Sequence, residues 1–326
     1  MKKYWHLLIV ALFTVSFHTE RTLGADAEQD FASWLKGIRS DALAAGVNEE
    51  ILDPILTDIE LLPRVIELDR NQPEGRLSLE EYLSRVVPQS RIIFARERLK
   101  KHALTLGNVE SDYLVQRRFI IALWGIESDF GRFTGGYSVI NSLSTLAYDG
   151  RRSEFFRSEL IDALKILSIG EVSNSQMKGS WAGAMGQCQF MPSSFHRFAV
   201  DYDKNGKRDI WDSLPDVFAS IANYLHRSGW KFDQTWGREV TLPKNFDLTF
   251  IGLEHVNTIQ GWQDMGVRRA DGTDLPGRQL SAAIILPDGP GSTAYMVYDN
   301  FRNIMKWNRS TYFALAVGIL SDQLLQ

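Results

Sequence analysis

Along most of this chain, hydrophobic and polar residues alternate at the spacing of amphipathic helices, and the departures from that spacing mark its organisation. Phe31, Trp34, Leu35 and Ile38 recur at helical intervals, and Gly46 supplies a stop. The pattern predicts further amphipathic helices over Leu77 to Val87 and Ser90 to Leu106. Pro73-Glu74-Gly75 breaks the chain before the first, and Pro88 separates the two. From Phe119 to Ile126 almost every residue is apolar, which predicts a buried helix whose last turn opens onto a cavity. Between Tyr113 and Trp230, apolar helices alternate with glycine-rich turns. The texture then changes: short β-prone runs such as Glu239-Val240-Thr241-Leu242 and Ala282-Ala283-Ile284-Ile285-Leu286 are separated by turn signals, among them Asp271-Gly272 and Pro276-Gly277. Helical patterning resumes after Tyr298. The expected class is mainly α (α+β), with a helical segment over 28–114, a chemically rich core over 115–237, a small β-rich module over 238–297 and a helical return over 298–326.

The N-terminus changes where this protein is expected to work. Lys2 and Lys3 precede an apolar run from Leu7 to Phe17 and an Ala25-Asp26-Ala27 triplet, the layout of a secretory signal over residues 1–27. The run is shorter than the about 20 apolar residues that span a bilayer; an uncleaved anchor is the alternative. No cysteine lies near the cleavage site to carry a lipid, so an exported, soluble, periplasmic protein is expected. Removal of the segment takes away three positive and two negative charges, so the net charge of −4 becomes −5. No strongly basic face follows from such a composition, which argues against nucleic acid as a partner. The single cysteine, Cys188, excludes an intramolecular disulfide, and a chain this long can bury enough core without one.

Three stretches carry chemistry. Glu127 sits at the polar end of the apolar run, where loss of water would raise its pKa toward a proton-donating range. The alternative is a salt-bridged glutamate with Arg132 as partner. Asp201-Tyr202-Asp203-Lys204-Asn205-Gly206-Lys207-Arg208-Asp209-Ile210-Trp211-Asp212 matches the EF-hand loop. Asp201, Asp203 and Asn205 fall at the first three oxygen-ligand positions and Gly206 at the turn. Lys207 would contribute its carbonyl, Asp209 would act directly or through water, and Asp212 takes the closing position usually held by glutamate. A single loop with three positive charges reads as a structural cation site, for Ca2+ or Na+, or as a solvated turn. The stretch Lys178 to Phe195 combines glycines with Ser180, Gln187 and Gln189, suited to sugar hydroxyls or acetamido groups, and with Trp181, Phe190 and Phe195, suited to pyranose faces. Tight helix packing around core aromatics would produce the same composition.

These stretches follow one another in a recognisable order. Pro63-Arg64-Val65-Ile66-Glu67-Leu68-Asp69-Arg70-Asn71-Gln72-Pro73-Glu74 comes first, then Ala122 to Gly131, Leu146 to Arg152, Lys178 to Phe195, the cation loop, and Ala219-Ser220-Ile221-Ala222-Asn223-Tyr224-Leu225. The chain closely resembles the membrane-bound lytic murein transglycosylase B family, which cleaves peptidoglycan glycan strands. The resemblance runs from about Asp30 to the C-terminus. It implies a lysozyme-like helical core, an N-terminal helical domain, a small β domain and an EF-hand-type ion site. It further implies that Glu127 is the catalytic acid/base, and that Ser180, Gln189, Tyr224 and Asn308 hold substrate, with Ser180 also orienting Glu127. Trp307 stands where some members carry a tyrosine, as does Phe155, and both lose a hydroxyl.

Ordinary glycosidases use two carboxylates, and no second one is evident in these motifs; Asp129 reads as structural. A single Glu127 suffices if the muramoyl C6 hydroxyl is the nucleophile, giving a 1,6-anhydromuramoyl end without water. A hydrolase admitting water and an idle wall-binding protein remain the alternatives. Glycan strands are the expected partner of a monomer, joined by wall synthesis or remodelling proteins, and no organic cofactor is expected.

Overall fold

The computed structural model describes residues 19–71 and 77–325, with side chains from Asp30 onward. The basic and apolar parts of the signal-like segment and the Pro73-Glu74-Gly75 break lie outside the described residues. Six helices lead the chain: α1 (Thr19–Ala44), α2 (Glu49–Thr57), α3 (Pro63–Arg70), α4 (Leu79–Val86), α5 (Gln89–Lys101) and α6 (Ala103–Tyr113). Gly46 ends α1 as its position predicts. At φ +86° it lets its own amide reach the Leu43 carbonyl and the Val47 amide reach that of Ala42. Ser78 and Glu81 cap α4 reciprocally, so that helix starts two residues later than the apolar pattern suggests.

The helix expected over Ser90 to Leu106 is two helices. His102 closes α5, its amide bonding the Arg98 carbonyl, and its own carbonyl accepts from Leu106 in α6. Neither glycine nor proline marks this break. The His102 ring packs edge-on against Trp124 and Phe218, so tertiary contacts set the bend.

The apolar run forms α7 (Arg117–Ser128), buried on all sides from Phe119 to Gly125. Helices α5, α6, α11 (Leu214–Arg227) and α14 (Thr311–Asp322) pack around it, which is why it lacks a polar face. Between α7 and α11 lie β1 (Tyr137–Ser138), α8 (Val139–Asp149), α9 (Ser153–Ser168), β2 (Lys178–Gly179) and α10 (Pro192–Phe198). Strands β1 and β2 pair antiparallel and bring the residue before Ser180 beside the start of α8.

The β-prone region forms a five-stranded antiparallel sheet in the order β4-β6-β7-β3-β5. Its strands are β3 (Gly237–Thr241), β4 (Val256–Thr258), β5 (Arg268–Arg269), β6 (Ser281–Ile285) and β7 (Ala294–Val297). The unbroken apolar texture of β6 has a simple cause: side chains of a strand alternate faces, and here both faces are covered. Ala283, Ile285, Tyr295 and Val297 join the main core, whereas Ala282, Ile284, Ala294 and Met296 join a second core with Trp262 and Val267. Trp262 lies on α12 (Ile259–Asp264), a short helix inside the β-rich region that the sequence pattern did not predict. Helix α13 (Asp299–Trp307) then leads to α14. Among the described residues the architecture is thus mainly helical, with a five-stranded antiparallel sheet and a short two-stranded one, the expected class. Among the described residues, no helix is long and apolar enough to cross a membrane.

Candidate active site

Glu127 occupies the last turn of α7, with part of its surface still accessible. The helix stops abruptly behind it. Asp129, Phe130 and Gly131 all adopt positive φ, at 50°, 61° and 81°. The amides of Asp129 and Phe130 fold back onto the carbonyls of Gly125 and Trp124. Gly125 makes room for this turn, because a Cβ there would lie 2.7 Å from the Phe130 ring. Non-glycine residues in this region cost about 1–3 kcal/mol each and cluster at functional sites.

Protein atoms enclose the Glu127 carboxyl, and this burial pushes its pKa up to about 8. An opposing pull comes from Trp307, whose Nε1–H donates to Glu127 Oε1 at 2.7 Å. Arg132 is not the partner of Glu127. It pairs with Asp129, which also receives Arg91 Nε at 3.3 Å. Asp129 is therefore spent on two arginines, as its structural reading expected.

The glycine-rich stretch divides its expected duties differently. Ser180 Oγ accepts from the amides of Ala182 at 3.3 Å and Ala184 at 3.0 Å, and Trp307, not Ser180, provides the hydrogen bond to Glu127. Gln189 holds a positive φ of 49° and donates through Nε2 to the carbonyls of Thr134 (3.0 Å) and Gly186 (2.9 Å), leaving its Oε1 to accept. Gln187, grouped with the sugar binders from its neighbourhood, is instead a buried brace. Its Oε1 accepts from Trp124 Nε1 at 2.8 Å, and its Nε2 donates to the Trp211 carbonyl at 2.6 Å. Phe190 and Phe195 are core residues rather than sugar platforms; Trp181 is partly buried.

Tyr224 and Asn308 arrive from distant parts of the chain. Tyr224 Oη donates to the Lys306 carbonyl at 2.6 Å, while its ring packs 4.6 Å from that of Trp307. Phe190 touches Trp307 from another side at 5.1 Å. Tyr224 thus props the indole that holds Glu127. Asn308 is exposed beside Trp307, where its Oδ1 accepts from the Ser310 amide at 3.0 Å. Two tyrosines escaped the sequence reading. The Tyr82 hydroxyl is raised above its usual pKa by burial and then by the charge of Glu127, which places the two within electrostatic reach. Its ring meets that of Tyr312 edge-on at 5.6 Å. A cavity of about 680 Å³ lies between α4, the 287–293 loop and α14, and Glu127 does not line it.

In the acidic loop, Asp201 and Asp203 gather with Asp216, all three offering oxygens within 4.8 Å of one another. Asp216 lies four residues past the loop's expected closing position and is fully buried, accepting from the amides of Tyr202, Asp203 and Asp209. An all-oxygen set of this kind suits a hard cation. Asn205 Oδ1 accepts from the Lys207 amide and Asp209 Oδ1 from those of Trp211 and Asp212, so these side chains shape the loop. Asp212 is exposed and outside the acidic group.

Residues 30–322 match the family described as the Transglycosylase SLT domain. The sequence is 29% identical over 301 residues to the membrane-bound lytic murein transglycosylase B of Escherichia coli (strain K12), covering 85% of this chain and 78% of that protein. The fold is similar to that of SltB3 from Pseudomonas aeruginosa, solved in complex with NAG-anhNAM-pentapeptide: TM-score 0.88, 44% identity, 90% of this chain and 79% of that one. It is also similar to the Escherichia coli lytic transglycosylase Slt35 in complex with calcium, with TM-score 0.77, 26% identity, and 90% and 92% of the two chains covered.

Proposed function

The chain belongs to the Transglycosylase SLT domain family and is a peptidoglycan-degrading lytic transglycosylase of lysozyme-like fold, and from that premise we propose that Glu127 alone serves as acid and base in a non-hydrolytic cleavage. The bond is the β-1,4 link from N-acetylmuramic acid to N-acetylglucosamine. The observation that carries this reading is one enclosed carboxyl with a pKa of about 8, beside a neighbouring Asp129 already neutralised by Arg91 and Arg132.

Protonated Glu127 donates to the glycosidic oxygen as the bond from muramoyl C1 to that oxygen breaks. The muramoyl 2-acetamido oxygen stabilises positive charge at C1. Glu127, now a carboxylate, takes the proton of the C6 hydroxyl as O6 bonds C1. One bond breaks, one forms, the glutamate regains its proton, and no water is consumed. A carboxyl that titrates near neutrality can perform both transfers because neither form is strongly favoured. Trp307 Nε1–H steadies the carboxylate stage. Gln189 Oε1, the Ser180 hydroxyl and Asn308 would serve as partners for the acetamido and hydroxyl groups, with Tyr224 acting through Trp307. The complex of similar SltB3 with NAG-anhNAM-pentapeptide supports an anhydro product. A peptidoglycan substrate supports a periplasmic site of action. Borohydride tests the product: it reduces a free muramic acid end but leaves a 1,6-anhydro end untouched. Fragments released from purified sacculi should resist reduction, whereas reducible muramoyl ends would establish hydrolysis.

The same proposal extends to the loop around Asp201, Asp203 and Asp216, which would hold a structural cation, calcium in the first instance. Similar Slt35 was solved with calcium. The ion would offset the repulsion among three gathered carboxylates and tie α11 to the loop. Calcium at a hundred times its Kd should stabilise the fold by about 2.7 kcal/mol, read as a rise of a few degrees in Tm that EDTA reverses. Asp203→Ala should abolish that rise. A Tm indifferent to calcium would exclude the site.

A further inference from the structure

Six residues beyond Glu127, the backbone delivers a large ring to solvent. Phe133 is 70% exposed, yet the chain around it is tightly fixed. Its amide bonds the Ser128 carbonyl at 2.9 Å, the next carbonyl, that of Thr134, receives Gln189 Nε2 at 3.0 Å, and Gly135 lies so close to Gly179 that a Cβ would come within 2.0 Å of its carbonyl oxygen. Arg132 stands beside it, its guanidinium 5.8 Å from the Phe133 ring and 5.0 Å from that of Phe94 on α5. Phe94 is itself 36% exposed. The arginine is locked by its ion pair to Asp129.

A lone exposed phenylalanine would call for no explanation. Here two exposed rings are bridged by a clamped guanidinium, on the turn that ends the Glu127 helix and is hydrogen-bonded to Gln189. We propose that Phe133, with Arg132 and Phe94, is a stacking subsite for a saccharide of the glycan strand beyond those flanking the cleaved bond. This rests on the glycan-cleaving reading above. A polymer held at Glu127 must continue across the neighbouring surface, and this platform is continuous with that site through Thr134 and Gln189. A pyranose offers an apolar C–H face to the ring and hydroxyl or acetamido oxygens to the guanidinium edge that Asp129 leaves free. Because Asp129 already answers the arginine's charge, a neutral sugar suits the platform better than a stem-peptide carboxylate. The rigid backbone means little ordering is needed on binding.

The test compares kcat/KM on peptide-free glycan oligomers of tetrasaccharide and octasaccharide length. In Phe133→Ala the octasaccharide-to-tetrasaccharide ratio should fall about three- to tenfold, the range of one aromatic stacking contact. Phe133→Trp should preserve it, and both variants should melt with the parent, since the position is exposed. An unchanged ratio, or equal loss at both lengths, would overturn the subsite. A loss confined to peptide-bearing strands would assign the ring to the stem and overturn it equally. If the parent enzyme cleaves neither oligomer, the catalytic reading fails separately. Co-sedimentation of the Phe133→Ala chain with sacculi then decides the platform: weaker binding supports it, and unchanged binding overturns it.

Discussion

Replacing Glu127 with glutamine should lower kcat for glycan cleavage by about a thousandfold or more, within the reach of a group acting twice in proton transfer. The same change should stabilise the fold in alkali. The sign follows from burial. The folded-state pKa of about 8 lies above the 4.5 of an exposed glutamate. The carboxyl therefore favours the fold fully below pH 4.5, and that contribution drains away as pH rises toward 8. Above that, the native protein must keep an enclosed carboxylate at a cost of a few kcal/mol. Glutamine stays neutral and still offers Trp307 an oxygen. Melting curves of parent and variant should converge near pH 4 and separate above it, the variant being the more stable. Parallel curves from pH 4 to 9 would show that Glu127 titrates normally, and would remove the basis for its role as acid. For the parent enzyme, kcat/KM should fall with rising pH around 8 as the proton donor is lost.

Trp307→Phe should cost about ten- to a hundredfold in kcat, because a catalytic group misplaced by about 1 Å can lose about a hundredfold. Its pH profile carries the more specific signature. The indole N–H favours the carboxylate, so without it the pKa of Glu127 should climb and the alkaline limb should move above 8. Phenylalanine retains ring contacts with Tyr224 and Phe190, so the site should not collapse. Trp307→Tyr, which returns a donor of different reach, should recover part of the rate. A slower enzyme with an unmoved limb would reduce Trp307 to packing.

That partnership also marks where sequence reading stops. Helix α7 was legible because a run of apolar residues wide enough to cover every face leaves no other solution. The Gly46 stop was legible because positive φ demands particular residues, whereas of the loop positions expected to offer oxygens the acidic group takes in Asp201 and Asp203. The β6 run was legible as strand, although its two-sided burial emerged only from the sheet. By contrast, Trp307 reaches Glu127 across 180 positions of sequence, and its indole N–H looked like a lost hydroxyl rather than a gained donor. Asp216 lies outside the twelve-position loop motif, yet folding brings it into the acidic group. Gln187, Phe190 and Gln189 share one short segment, so composition could not say which face the core and which the cleft. The left-handed turns at Phe130 and Gln189 sit on residues that carry no mark of them, whereas Asp129 is of a type that tolerates this region.

Digestion of purified sacculi in water enriched in 18O tests single-carboxylate transglycosylation most directly. Because O6 of the muramoyl residue is the nucleophile, new muramoyl ends should be lighter by one water than reducing ends and should carry no label. Ends bearing one 18O at C1 would mean that water, not the C6 hydroxyl, attacks, and would contradict the mechanism assigned to Glu127.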